Sequence, residues 1–149
     1  MYIKHGYPEQ NGVFSKCLDE FYLYTGDLND DHVQRWCREY GNWDLELTDW
    51  LFKNIKPGWT CLDIGANIGY FTEIMARLSG KNGKVLSFEP INNLVEKYKE
   101  AMTLNNYGDS ADIEIHNLGL SNKKGESTLY IWNNNVGGST ISDEIGRAH

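Results

Sequence analysis

Apolar positions along the chain alternate between two rhythms. Short apolar runs at 60–64, 85–88 and 113–117 are bounded by glycine, proline or asparagine and predict strands. Between them, Ile68, Phe71, Met75 and Leu78 recur at helical spacing, and so do Leu94, Tyr98, Ala101 and Met102. Gly80 closes the first of these helices, and Gly108 lies past the second. Strand, helix, strand, helix, strand implies parallel strands joined by right-handed crossovers. Two further helices are predicted upstream. One is capped at Asp30-Asp31, carries Val33, Trp36, Cys37 and Tyr40, and ends at Gly41. The other starts near Asp44, carries Leu45, Thr48, Leu51, Phe52 and Ile55, and stops at Pro57-Gly58. Residues 1–29 read as an irregular or hairpin-like lead-in. Residues 118–121 and 127–132, joined through Lys123-Lys124-Gly125, predict a hairpin added after the third strand, and the tail from Asn133 reads as loop. The expected division is a lead-in over 1–56 packed on a ligand-binding half domain over 57–149, within a single domain. Trp36, Trp43, Trp50 and Trp59 suit a substrate platform, but aromatic side chains at helical spacing are usually core, so packing against the sheet is expected.

The chemistry concentrates at 61–69, Cys-Leu-Asp-Ile-Gly-Ala-Asn-Ile-Gly. A strand ending in Asp63 runs through a tight turn into a helix. Gly65 supplies a bend that a side chain would hinder. Gly69 is expected to leave the start of the helix open to close backbone approach, and the helix N-terminus faces whatever lies over the turn. Open α/β sheets bind nucleotides at such a turn. The dinucleotide fingerprint G-x-G-x-x-G places a glycine where this chain has Asn67, which makes close approach of a diphosphate harder. A nucleoside without phosphates fits better. Glu89, in Ser87-Phe88-Glu89-Pro90, ends the second strand 20 residues after Gly69, where a carboxylate can accept bonds from ribose hydroxyls.

Composition narrows the class. The 149 residues are 40% hydrophobic and 23% charged, ordinary for a globular domain. A net charge of -7 argues against gripping phosphate backbones, so no nucleic-acid partner is expected. No apolar run reaches membrane-spanning length and the start lacks a signal-like segment, so a cytoplasmic protein is expected. Cys17, Cys37 and Cys61 are odd in number and widely spaced, which fits reduced thiols. His5, His32, His116 and His149 show no ligand spacing, and no metal is expected.

The segments L-D-I-G-A-N-I-G-Y-F-T, G-K-V-L-S-F-E-P and I-E-I-H-N-L-G-L-S-N-K-K-G resemble the class I S-adenosylmethionine-dependent methyltransferases. The upstream G-N-W-D-L-E is similar to a segment of the FkbM-type family within that class. The resemblance implies a partial class I fold: an α/β, Rossmann-like parallel sheet with flanking helices. It also implies S-adenosylmethionine as cofactor and methyl transfer to a small-molecule or sugar hydroxyl. By the same resemblance, Asp63 orients the methionine end, while Gly65, Ala66, Asn67 and Gly69 line the turn. Glu89 holds the ribose, and Asn117, Leu118 and Gly119 lie near the adenine. Asn117 stands where many relatives have an acid, which leaves either a main-chain contact or a residue satisfying its own turn. No general base is identified. Glu46 reads equally as facing the cleft or as an exposed helix carboxylate, and Ser139 and Thr140 read better as flexible loop than as substrate contacts.

These elements make half of a doubly wound sheet, leaving the first strand without an outer neighbour. Either more chain or another chain completes it, so a homo-oligomer covering this edge is expected. Two other functions remain open at this point. One is a nicotinamide-dependent oxidoreductase, against which Asn67 counts. The other is a non-catalytic remnant or interaction module.

Overall fold

The computed structural model describes residues 10–26, 32–132 and 136–141. Strands β4 (Thr60–Ile64), β5 (Lys84–Phe88) and β6 (Asp112–His116) form a parallel sheet in the order β4-β5-β6. Leu62 aligns with Leu86 and Glu114, and Ile64 with Phe88 and His116. The crossovers are α3 (Tyr70–Ser79) and α4 (Asn92–Met102). Gly80 closes α3 as expected, its N–H donating to the Ala76 carbonyl.

Before the sheet come three short antiparallel strands, β1 (Gln10–Asn11), β2 (Phe14–Cys17) and β3 (Phe21–Tyr24), in sequence order. The lead-in is thus a meander. Ser15, Cys17, Phe21 and Leu23 face inward because period-two alternation puts them on one side. Helices α1 (His32–Tyr40) and α2 (Leu45–Asn54) follow. The expected cap at Asp30-Asp31 lies outside the described residues. Asp44 does cap α2, its carboxylate accepting from the Leu47 N–H at 3.1 Å.

One core joins the two parts of the chain. Cys17, Phe21, Leu23, Cys37 and Leu51 pack with Ile68, Tyr70, Ile74, Leu94 and Tyr98. A smaller cluster, Cys61, Ala76, Val85 and Ala111, lies between α3 and the sheet.

Two expectations are corrected. The predicted hairpin over 118–132 does not form: among the described residues β6 is the last strand, and only an isolated bridge joins Tyr130 to Thr140. The segment has alternation but no buried face, since Leu118, Leu120, Ile131 and Trp132 are all exposed. The tryptophans are also not core. Trp36, Trp50 and Trp59 are 46%, 55% and 46% exposed, and only Trp43 is half-buried against the core. The inward positions of α1 and α2 belong instead to Gln34, Cys37, Thr48 and Leu51.

The two faces of the parallel sheet differ. Cys61, Asp63, Val85 and Ser87 are buried on the α3 side. On the other face Leu62 and Ile64 are 57% and 65% exposed. Strand β4 is also the sheet edge. The Lys84 N–H donates to the Trp59 carbonyl and the Gly65 N–H to the Phe88 carbonyl. In a parallel ladder this phase turns the backbone groups of Thr60, Leu62 and Ile64 away from β5.

Candidate functional site

The C-terminal ends of β4, β5 and β6 meet around the turn at 65–69. Gly65, Asn67 and Gly69 all adopt positive φ, at 83°, 53° and 88°. Each N–H in the turn has a partner within the protein. Gly65 and Ala66 donate to the Phe88 carbonyl at 2.9 and 3.0 Å, and Gly69 donates to the Ala66 carbonyl at 2.8 Å. Asn67 donates to Glu89 Oε2 at 2.8 Å, and Ile68 donates to Asn67 Oδ1 at 2.7 Å. A backbone that cradles phosphates presents such amides to the ligand. This one has spent them on its own shape. Above Gly65 the space is open, with nothing within 4 Å of a Cβ built there.

Glu89 holds the turn from the tip of β5. Its Oε1 accepts from the Ile91 N–H at 2.9 Å, while Oε2 accepts from Asn67. The carboxylate therefore ties the first turn to the loop that opens α4. Its own N–H donates to the His116 carbonyl at 3.0 Å, which links β5 to β6. Each carboxylate oxygen keeps a second lone pair for another donor.

Asp63 is 7% exposed and points into α3. Its Oδ2 accepts from Thr72 Oγ1 at 2.5 Å, and the Thr72 N–H also reaches the carboxylate. A carboxylate on the first-turn amides of a helix satisfies orphan donors and suits the helix dipole. Burial pushes the Asp63 carboxyl above its ordinary range. The Thr72 bonds oppose that, and the Glu89 charge adds to it. Thr72 Oγ1 also lies 3.2 Å from Ser87 Oγ, so β4, β5 and α3 share one buried polar cluster.

At the end of β6 the Asn117 amide donates to the carbonyls of Glu89 and Pro90 at 2.9 and 3.1 Å. Its side chain thus satisfies the strand-end loop, one of the two readings open from the sequence. Leu118 is 46% exposed and its N–H turns back to the His116 carbonyl at 2.9 Å. A Cβ on Gly119 would lie 3.7 Å from the Pro90 side chain. The structure therefore brings Asp63, Gly65, Ala66, Asn67, Gly69, Glu89 and Asn117–Gly119 to one end of the sheet.

The remaining candidates are placed differently. Glu46 is an exposed residue in the first turn of α2, in an open depression with Asp44, Leu47 and Trp50. Ser139 accepts from the Trp132 N–H through Oγ at 3.4 Å, and Thr140 exchanges backbone bonds with Tyr130. Two residues escaped the sequence reading. Thr72 sat among apolar helix positions, its polar spacing from Asp63 the only signal. Tyr98 was read as core, which it is, but nothing local tells that its ring lies against Gly69. Among the described residues no group of three His, Cys, Asp or Glu side chains assembles as a metal site, and no helix is long and apolar enough to cross a membrane.

Among solved structures, the chain is similar to one described as a "putative rRNA-methylase" from Clostridium thermocellum. The identity is 24% and the TM-score 0.45, over 50% of this chain and 40% of that one. The chain thus spans less than half the length of that relative. No curated protein matches the chain. The family model of the Vibrio cholerae RfbT protein matches residues 11–142, nearly the whole sequence, and the chain belongs to that family.

Proposed function

We propose that the turn at 65–69 and Glu89 bind S-adenosylmethionine, and that the chain is the cofactor-binding part of an O-methyltransferase of the FkbM type. Its acceptor is a hydroxyl of a small molecule or sugar. The observation that carries this reading is the turn itself. Its amides are all satisfied internally, so it offers nothing to a diphosphate. It nevertheless has open space over Gly65 and a nearly buried carboxylate at the neighbouring strand tip. A nucleoside with a ribose diol and no phosphate matches that donor and acceptor set.

The cofactor brings an activated methyl group on a sulfonium, so the protein supplies position and electrostatics. Glu89 accepts from the ribose hydroxyls with its remaining lone pairs. Asp63 acts one step back, fixing α3 through Thr72 so that the turn and the helix start keep their relation. Asn117 holds the 89–90 backbone in place, leaving Leu118 and Gly119 to border the base. No residue is assigned as general base.

Titration calorimetry with S-adenosylmethionine, S-adenosylhomocysteine and NAD tests the reading. Binding of the first two and not of NAD is expected. Binding of NAD alone would transfer the site to the oxidoreductase reading. Binding without transfer to any acceptor hydroxyl would favour a non-catalytic module.

The partner we propose is a second copy of the chain along β4. The one charged side chain of that strand, Asp63, turns inward onto Thr72, and the strand has no proline, so its outer edge is left open to pairing. Antiparallel pairing about Leu62 would occupy the outward groups of Thr60, Leu62 and Ile64 in both copies and oppose no like charges. Light scattering after size exclusion should give a dimer, and Leu62→Lys a monomer. A monomer in both cases rejects the pairing.

A further inference from the structure

The two glycines of the turn share a positive φ but have opposite surroundings. Gly65 faces open space, whereas a Cβ on Gly69 would fall 2.5 Å from Cζ and 2.6 Å from Cδ2 of Tyr98. That ring cannot step aside. Tyr98 is 1% exposed, and its hydroxyl donates to Glu73 Oε1 at 3.0 Å. Glu73 is fully buried and held in turn. Its Oε1 also accepts from the Tyr107 hydroxyl at 2.5 Å, and its Oε2 pairs with the Arg77 guanidinium. Burial first, and then the Glu73 charge, keep both phenols protonated and donating. Asn105 continues the chain of contacts. Its amide reaches the Tyr107 hydroxyl at 3.3 Å and clasps Tyr22 in β3, taking its N–H at 2.6 Å and giving to its carbonyl at 3.1 Å.

We infer that Tyr98 is a positioning residue for the ligand-binding turn: its buried ring, held by the packing around it, sets the height of Gly69 and so the start of α3. The meander reaches the turn through this line, from Tyr22 by way of Asn105, Tyr107, Glu73 and Tyr98. The ligand part of the inference rests on the cofactor reading above. The packing part does not.

A double-mutant cycle with Gly69→Ala and Tyr98→Met tests it, since a flexible Met can yield to a Cβ. The probe is S-adenosylhomocysteine, titrated at a temperature where circular dichroism shows every variant folded. Each single change should weaken binding about tenfold, and the double variant no more than the worse single, because the added Cβ and the lost ring disturb the same contact. Losses that multiply would overturn the inference. So would a Tyr98→Met protein that binds as tightly as the parent. Tyr98→Phe keeps the ring and drops the hydroxyl, so its melting temperature should fall while its affinity stays within about twofold of the parent. A Phe variant as weak as the Met variant would show that general stability, and not the ring, sets affinity. If the parent chain binds no probe, the cofactor reading fails. The same cycle read in melting temperature then still judges the packing, and additive losses would overturn that part.

Discussion

Replacing Glu89 by Gln isolates one carboxylate oxygen. In the native chain two backbone N–H groups, those of Asn67 and Ile91, each donate to a different oxygen of a side chain that is 5% exposed. Gln supplies one carbonyl oxygen of the same shape. Its NH2 then faces the second N–H, donor against donor. One charge-assisted bond is lost, and one nearly buried N–H is left without a partner, a loss of about 2–3 kcal/mol. Relief of the repulsion between Glu89 and Asp63 offsets little of this, because that repulsion is the least of the influences on Asp63. For a chain of this size the melting temperature should fall by about 5–10 °C. Glu89→Ala strands both donors and should fall further, to about 3–4 kcal/mol of lost stability. Calorimetric or circular dichroism melts without ligand measure both, so the outcome does not depend on what the site binds. A Gln variant within about 1 °C of the parent would refute the reasoning, because it would mean that the carboxylate does not hold the turn.

Thr72→Val removes the hydroxyl from Asp63 and Ser87 at constant volume and should cost about 2–3 kcal/mol in a denaturant melt, since the buried carboxylate keeps only the Thr72 N–H. Asp63 itself predicts a pH effect: its folded-state pKa lies above the ordinary 3.8 because of burial, so the folded state binds the proton more tightly than the unfolded one. Stability from this group is therefore gained as pH falls through the raised value, and the melting temperature of the parent should rise relative to that of Asp63→Asn as pH is lowered from neutrality toward that value. Gly65→Ala meets no atom and carries only the strain of φ 83°, about 1 kcal/mol in a thermal melt. It should nevertheless weaken S-adenosylhomocysteine binding at least about tenfold in calorimetry, because the added methyl enters the open space over the turn.

The parallel sheet was legible because each strand is an apolar run closed by a breaker: β4 has the expected bounds, β5 starts one residue earlier, and β6 is shifted by one residue. The place of Glu89, at the tip of β5 beside the turn, was legible from its spacing. What the sequence could not carry was the partner of each side chain. Asp63 gives no local sign that its carboxylate turns inward to Thr72. Spacing in α1 and α2 predicts helices correctly, yet which side is buried depends on what packs there, and Trp36 and Trp50 ended outside. The alternation in 127–132 failed for a related reason: a strand needs an edge to pair with and a core to face, and that segment has neither. The meander of β1, β2 and β3 was legible only as an irregular or hairpin-like lead-in, because its strands are short and its turn uses Leu18 and Asp19 at positive φ, where glycine or asparagine would have signalled it.

The internally bonded turn also fixes how this site meets a ligand in time. Its amide protons are secured before anything arrives, so they should exchange slowly with deuterium in the empty protein, at the pace of the strands that hold them. Little backbone freedom is left to lose on binding, and the entropic opposition is confined to the ligand and to the waters it displaces. The recognition surface is thus a cast made by folding, and it is the ligand that must conform to it.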